Sequence, residues 1–181
     1  MTIHELLELI RRPYIEQFSR DKAEGVFHIE PVLRRSDGGP ATEGALVTPC
    51  RCDLVRKDTG AGLAVNATER VRLDDLQVEI DGVTLKISAF SWDWLTLHVA
   101  GISHTDATAL VRDWFLRWFD EDDNNLQNGE GFYGVVHFVG DPVQLEETVQ
   151  FQIDLGSAPA TSVCELIEQL LESGPTALTM S

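Results

Sequence analysis

Ala107, Leu110, Val111, Trp114, Phe115, Trp118 and Phe119 recur at spacings of three and four residues, which places them on about half the circumference of a single helix. A stripe this wide and this aromatic has to be covered by a broad apolar surface, so the helix is expected to lie across a β-sheet as the main piece of the core. Ser103-His104-Thr105-Asp106 fits a capping box and marks where it starts. Leu116 falls on the opposite side.

The segment ahead of that helix supplies the sheet. From Val26 to Ala100 the chain breaks into short β-rich runs separated by turn residues, with Ser36 to Gly44 as the clearest flexible loop. Asp81-Gly82 tolerates the positive φ angles of a type I′ turn, and its flanks alternate. A hairpin is expected there, with Leu76, Val78 and Ile80 sharing a face with Val83, Leu85 and Ile87. Trp92 to Ala100 reads as one further strand, with Leu95, Leu97 and Val99 on one face and Trp92, Trp94, Thr96 and His98 on the other. Strand patterns at Phe132 to Val139 and Thr148 to Leu155 follow an acidic linker and are expected to pair across Asp141-Pro142.

Helices close both ends. Ile3, Leu6, Leu7 and Ile10 make an amphipathic first helix that Pro13 should break or kink before Tyr14 to Phe18 continue. Ser157 reads as the N-cap of a last helix, with Pro159 in its first turn, Val163, Leu166, Ile167, Leu170 and Leu171 on one stripe, and Gly174-Pro175 ending it. Thr176 to Ser181 has little to bury and is expected to fray, so residues 175–181 read as a tail. The reading is one α+β domain over residues 1–181. A mostly antiparallel sheet of about six to eight strands is packed by a long central helix and a C-terminal helix, with an N-terminal helix added.

At 181 residues, folding buries about 70% of the surface of the unfolded chain, enough for a core without disulfides or metal. Cys50, Cys52 and Cys164 are an odd set, too few for a secreted disulfide scaffold, which points to a reducing cytoplasm. Cys50 and Cys52 read as small buried hydrophobes, since no second close pair of Cys or His completes a zinc site. The N-terminus mixes acids into its apolar positions and offers neither a signal peptide nor a membrane span.

Charge is unevenly distributed. The net charge is -16, the last Lys or Arg is Arg117, and the final 64 residues hold 12 acids and no base. That field repels nucleic acid and anionic lipid. It reads either as a solvated surface that serves solubility or as a face for a basic protein partner, engaged through Asp120, Glu121, Asp122, Asp123 and Glu130, with Trp92 and Trp94 as apolar anchors if they are exposed. An internal alternative is that acids near Trp118 face Arg34, Arg35, Arg70 or Arg72 across the fold.

Catalytic motifs do not survive inspection. Asp120, Asp122 and Asn124 match the first, third and fifth positions of a calcium loop, but Asn125 stands where glycine is needed and Gly131 where the bidentate glutamate belongs, leaving a weak metal candidate. Gly129, Gly131 and Gly134 match G-x-G-x-x-G, yet they follow an acidic loop and open a β-rich run, with no helix N-terminus for a phosphate. Cys164 has no cation nearby to activate it. The first functional reading is therefore a non-enzymatic, cytoplasmic protein-binding domain without cofactor, of the inhibitor or immunity type, whose acidic C-terminal surface meets a basic partner. The second is a small enzyme or ligand-binding domain with a pocket between sheet and helix near Trp94, His98 and His137.

Overall fold

The computed structural model describes residues 1–67 and 69–181. Among them are three helices and twelve strands, a mixed α+β arrangement built mainly from antiparallel pairs. Helix α1 (Ile3–Ala23) begins at a capping box between Thr2 and Glu5 and runs unbroken through Pro13. Proline removes one backbone hydrogen bond and costs about 3 kcal/mol in a helix interior. Here Leu6, Leu7 and Ile10 before it and Tyr14, Ile15 and Phe18 after it are buried in the same core, so packing holds both halves on one axis.

The main sheet has seven strands. Hairpin β6 (Leu76–Ile80) and β7 (Val83–Ile87) turns at Asp81 and Gly82, whose φ angles of 50° and 84° suit a type I′ turn. Strand β8 (Leu95–Ala100) pairs antiparallel with β11 (Thr148–Asp154), and β11 also carries β9 (Phe138–Val139) and β10 (Val143–Leu145) on its far side. Between β7 and β8 lies β12 (Ala177–Met180), parallel to β7 and antiparallel to β8. The inward residues of β7, β8, β11 and β12 join one hydrophobic core with α1, α2 (His104–Phe119) and α3 (Ala160–Glu172). A small sheet of β1 (Phe27–Ile29), β4 (Leu54–Arg56) and β5 (Gly62–Leu63) and a short pair of β2 (Thr42–Glu43) and β3 (Thr48–Pro49) sit alongside.

Several expectations are corrected. Residues 175–181 are no frayed tail, because Leu178 and Met180 are buried and the strand they belong to has a partner on both sides. Among the described residues no long central helix is present: α2, with 16 residues, is shorter than the 21-residue α1, and α3 packs against both. The strand expected from Phe132 shrinks to β9, since Gly131 and Gly134 take positive φ and the chain between Phe132 and His137 inserts its side chains into the core without a ladder. Trp92 lies in a turn closed by Ser91 and Trp94, so the alternation assigned to Trp92 and Trp94 starts only at Leu95. Pro159, not Ser157, occupies the N-cap of α3, and the Ser157 hydroxyl instead accepts the Gly134 N–H at 2.9 Å. At α2 the Ser103 hydroxyl accepts the Asp106 N–H as expected, and it donates to the Asp106 carboxylate.

Candidate functional sites

Two places among the described residues concentrate polar side chains. The first is the loop that follows α2. Asp120 ends that helix with φ of 53° and turns its carboxylate back to accept the N–H groups of Asn124 and Asn125 at 3.0 and 2.9 Å. Arg51, almost wholly buried, donates to the carbonyls of Phe119, Asp120 and Glu30 and pairs with Asp123 at 2.9 Å. Arg34 reaches Asp123 at 3.2 Å and the Glu121 carbonyl at 3.3 Å. At the other end Glu130 meets buried Arg11 at 2.8 Å, and the Lys22 ammonium donates to the carbonyls of Glu130 and Gly131.

This loop is tied down at both ends, and its middle faces solvent. Asp123 and Glu130 are engaged with arginines of the same chain, and Asp120 with backbone amides, so the calcium-loop geometry suggested for Asp120, Asp122 and Asn124 is replaced by internal hydrogen bonds at its first position. Glu121 and Asp122 are exposed, with no ion pair among the described residues. Leu126 is 89% exposed between them and Glu130. A groove of 430 Å³ opens beside the loop, with Asp123, Gln127, Tyr133, His28 and Lys57 on its walls.

The tryptophans do not act as a pair. Trp92 is buried and stacks on Phe90, whereas Trp94 is 54% exposed. Nor, among the described residues, are Trp94, His98 and His137 brought together: His98 borders a shallow hollow over the β10–β11 hairpin, and His137 is fully buried elsewhere. Cys50, Cys52 and Cys164 are free thiols, and burial pushes each of them above the ordinary range, as inert packing residues require.

The second place is around His137. Sheet geometry assembles it: Glu30 follows β1, Asp53 precedes β4, His137 precedes β9 and Asp154 ends β11, where the His137 N–H donates to the Asp154 carbonyl at 3.0 Å. Glu30 is wholly buried and sits at φ of 50°, a left-handed conformation that a glutamate holds only when its surroundings enforce it. Its carboxylate contacts His137 Nε2 at 2.8 Å and accepts the N–H groups of Ser157 and Tyr133. Asp53 accepts from the Tyr14 hydroxyl at 2.9 Å and from the Val65 N–H at 2.6 Å, and Asp154 accepts from the Gly156 N–H at 2.9 Å. Gly156, at φ of 51°, has to be glycine, since a Cβ there would overlap the His137 ring.

His137 Nδ1 faces two carboxylates. Asp53 Oδ1 lies 2.9 Å away and Asp154 Oδ2 3.9 Å away. The N–H direction misses the Asp53 oxygen, so Nδ1 is close to a carboxylate yet without a hydrogen-bond partner. Burial lowers the affinity of the imidazole for a proton, but the Asp53 and Glu30 carboxylates outweigh it and raise His137 well above its ordinary value. Burial also opposes ionisation of Glu30 and Asp53, and contact with His137 overcomes it and lowers both. For Asp154 burial wins and lifts it to about 7, despite the pull of His137.

Of these groups, His137 alone is marked in the sequence as a candidate. Glu30, Asp53, Asp154 and Tyr14 are scattered through the chain with no common spacing, and only the packing of helix α1 with the two sheets in one core gathers them. Among the described residues no helix is long and apolar enough to cross a membrane. Comparison with protein-family models, with curated proteins and with solved structures gives no match.

Proposed function

We propose that the chain is a protein-recognition domain without catalytic activity, and that the 120–131 loop meets a basic partner in the manner of an inhibitor or immunity protein. The observation that carries this reading is Leu126, 89% exposed within an acidic loop whose two ends are held by Arg51, Arg34, Arg11 and Lys22. A large apolar side chain on a restrained loop loses little further entropy on docking, which is what an interface anchor needs. The Glu121 and Asp122 side chains, without an ion pair among the described residues, supply the attraction, while Asp120, Asp123 and Glu130 shape the loop. The groove beside the loop offers room for one partner side chain. The cytoplasm is the compartment that fits its free thiols.

The test compares the parent chain with the triple variant Glu121→Gln, Asp122→Asn, Leu126→Ala in affinity capture from native extract. A basic protein should be retained at about 0.05 M salt, weaken at about 0.5 M where exposed charges are screened, and be lost by the variant. Recovery of the same proteins by parent and variant would overturn the proposal.

A further inference from the structure

We infer that Asp53, His137 and Asp154 form a binding site for one divalent first-row metal ion of the zinc class, held through Asp53 Oδ1, His137 Nδ1 and Asp154 Oδ2. One ligand atom from each of these three residues lies within 4.8 Å of the other two. Zinc bonds nitrogen and oxygen donors at about 2.0–2.2 Å, so two donors on the same ion stand roughly 3–3.5 Å apart. The observed separations from Nδ1, 2.9 and 3.9 Å, bracket that range.

Three features favour a ligand here over a closed structural cluster. The first is the fully buried Nδ1, which lies 2.9 Å from Asp53 and 3.9 Å from Asp154 and lacks a hydrogen bond. The second is Glu30, whose contact with Nε2 at 2.8 Å assigns the remaining ring proton to that nitrogen and leaves the Nδ1 lone pair for a metal. A carboxylate behind a histidine is the usual outer support of a metal ligand. The third is charge. Glu30, Asp53 and Asp154 bring three carboxylates together, and among the described residues no Lys or Arg side chain forms an ion pair with any of them. One imidazolium cannot balance the buried Glu30 and Asp53 carboxylates together, whereas a divalent cation, replacing the Nδ1 proton, offsets both.

The ligand set is mixed nitrogen and oxygen without thiolate, which suits Zn²⁺, Mn²⁺ or Fe²⁺ more than a soft ion. Tyr14 and Val65 fix Asp53, and Gly156 fixes Asp154, so two of the ligands are already oriented. The Asp154 side chain, 24% exposed, is the way in from solvent. With only three protein ligands the coordination is incomplete, and water or a small ligand would finish it.

Zn²⁺ is titrated into the full chain after chelator treatment, with binding read by calorimetry and the imidazole ¹⁵N signals by NMR. One equivalent should bind and shift Nδ1 of a single buried histidine. Asp154→Asn keeps an acceptor for the Gly156 N–H and should weaken Zn²⁺ by about 100-fold or more, since even outer-support residues cost 10–100-fold. Asp53→Asn provides the same readout if the first variant does not fold, and the loop triple variant should bind Zn²⁺ like the parent. No binding at about 1 mM Zn²⁺, or shifts confined to the exposed His4, His28 and His104, would overturn the assignment and leave a buried imidazolium between carboxylates.

Discussion

At the residue scale, Asp154 is the group whose charge state matters most. Its folded value, about 7, stands above the ordinary 3.8, so the folded metal-free chain holds a proton that the unfolded chain has released. Stability must then fall as pH rises between about 4 and 7, because over that window the unfolded state binds fewer protons than the folded one. Asp154→Asn removes the penalty. With chelator present the variant should be more stable than the parent at pH 8, by about 1–3 kcal/mol given the partly exposed carboxylate, and the difference should shrink toward pH 4. Urea midpoints across that pH range check it, and a variant less stable than the parent at pH 8 would show that the carboxylate supports the fold. Glu30 and Asp53 have the opposite sign: both are lowered, and what they contribute is lost as pH falls below their ordinary range. None of this is visible along the chain, where His137 reads as one more strand histidine and its three carboxylate neighbours carry no marker.

Among the elements, β12 joins the two parts of the main sheet. Four residues close the gap between the β6–β7 hairpin and the β8–β11 part of the sheet, pairing with β7 in parallel and β8 in antiparallel register. Leu178→Ala should cost about 2–5 kcal/mol, the range for a buried leucine, and deletion of Thr176–Ser181 should abolish cooperative unfolding by circular dichroism. A truncated chain that still melts in one sharp transition would mean the sheet closes without this strand. The strand escapes notice because Leu178 and Met180 are its only large apolar residues and Gly174-Pro175 reads as an ending. The β6–β7 hairpin is legible for the opposite reason, since its turn residues and alternation lie within a dozen positions and need no distant partner.

Over the whole molecule, a net charge of -16 remains after internal pairing is taken into account, because each ion pair removes one charge of each sign. Of the 12 acids beyond Arg117, Asp123, Glu130 and Glu165 pair with Arg51, Arg11 and Arg117, so the carboxylates are partly neutralised at the loop ends and left free at its centre. Self-repulsion of this size destabilises a compact chain and is screened by salt. The thermal midpoint should therefore rise between about 0.01 and 0.5 M sodium chloride. A midpoint that falls over this range would mean that internal pairs such as Arg51–Asp123 outweigh the repulsion.

Local order is what this chain writes into its sequence: the α2 stripe, the Asp81-Gly82 turn, the last helix and the absence of bases after Arg117 each depend on residues near one another. Tertiary structure decided the rest. Pro13 stays inside α1 because two buried patches hold it there, Trp92 is buried while Trp94 is exposed, and Glu30, Asp53, His137 and Asp154 meet only where two sheets join. Hydrophobic periodicity and turn chemistry act over a few residues, whereas burial, ion pairing and shared ligands depend on which distant segments the packed core brings together.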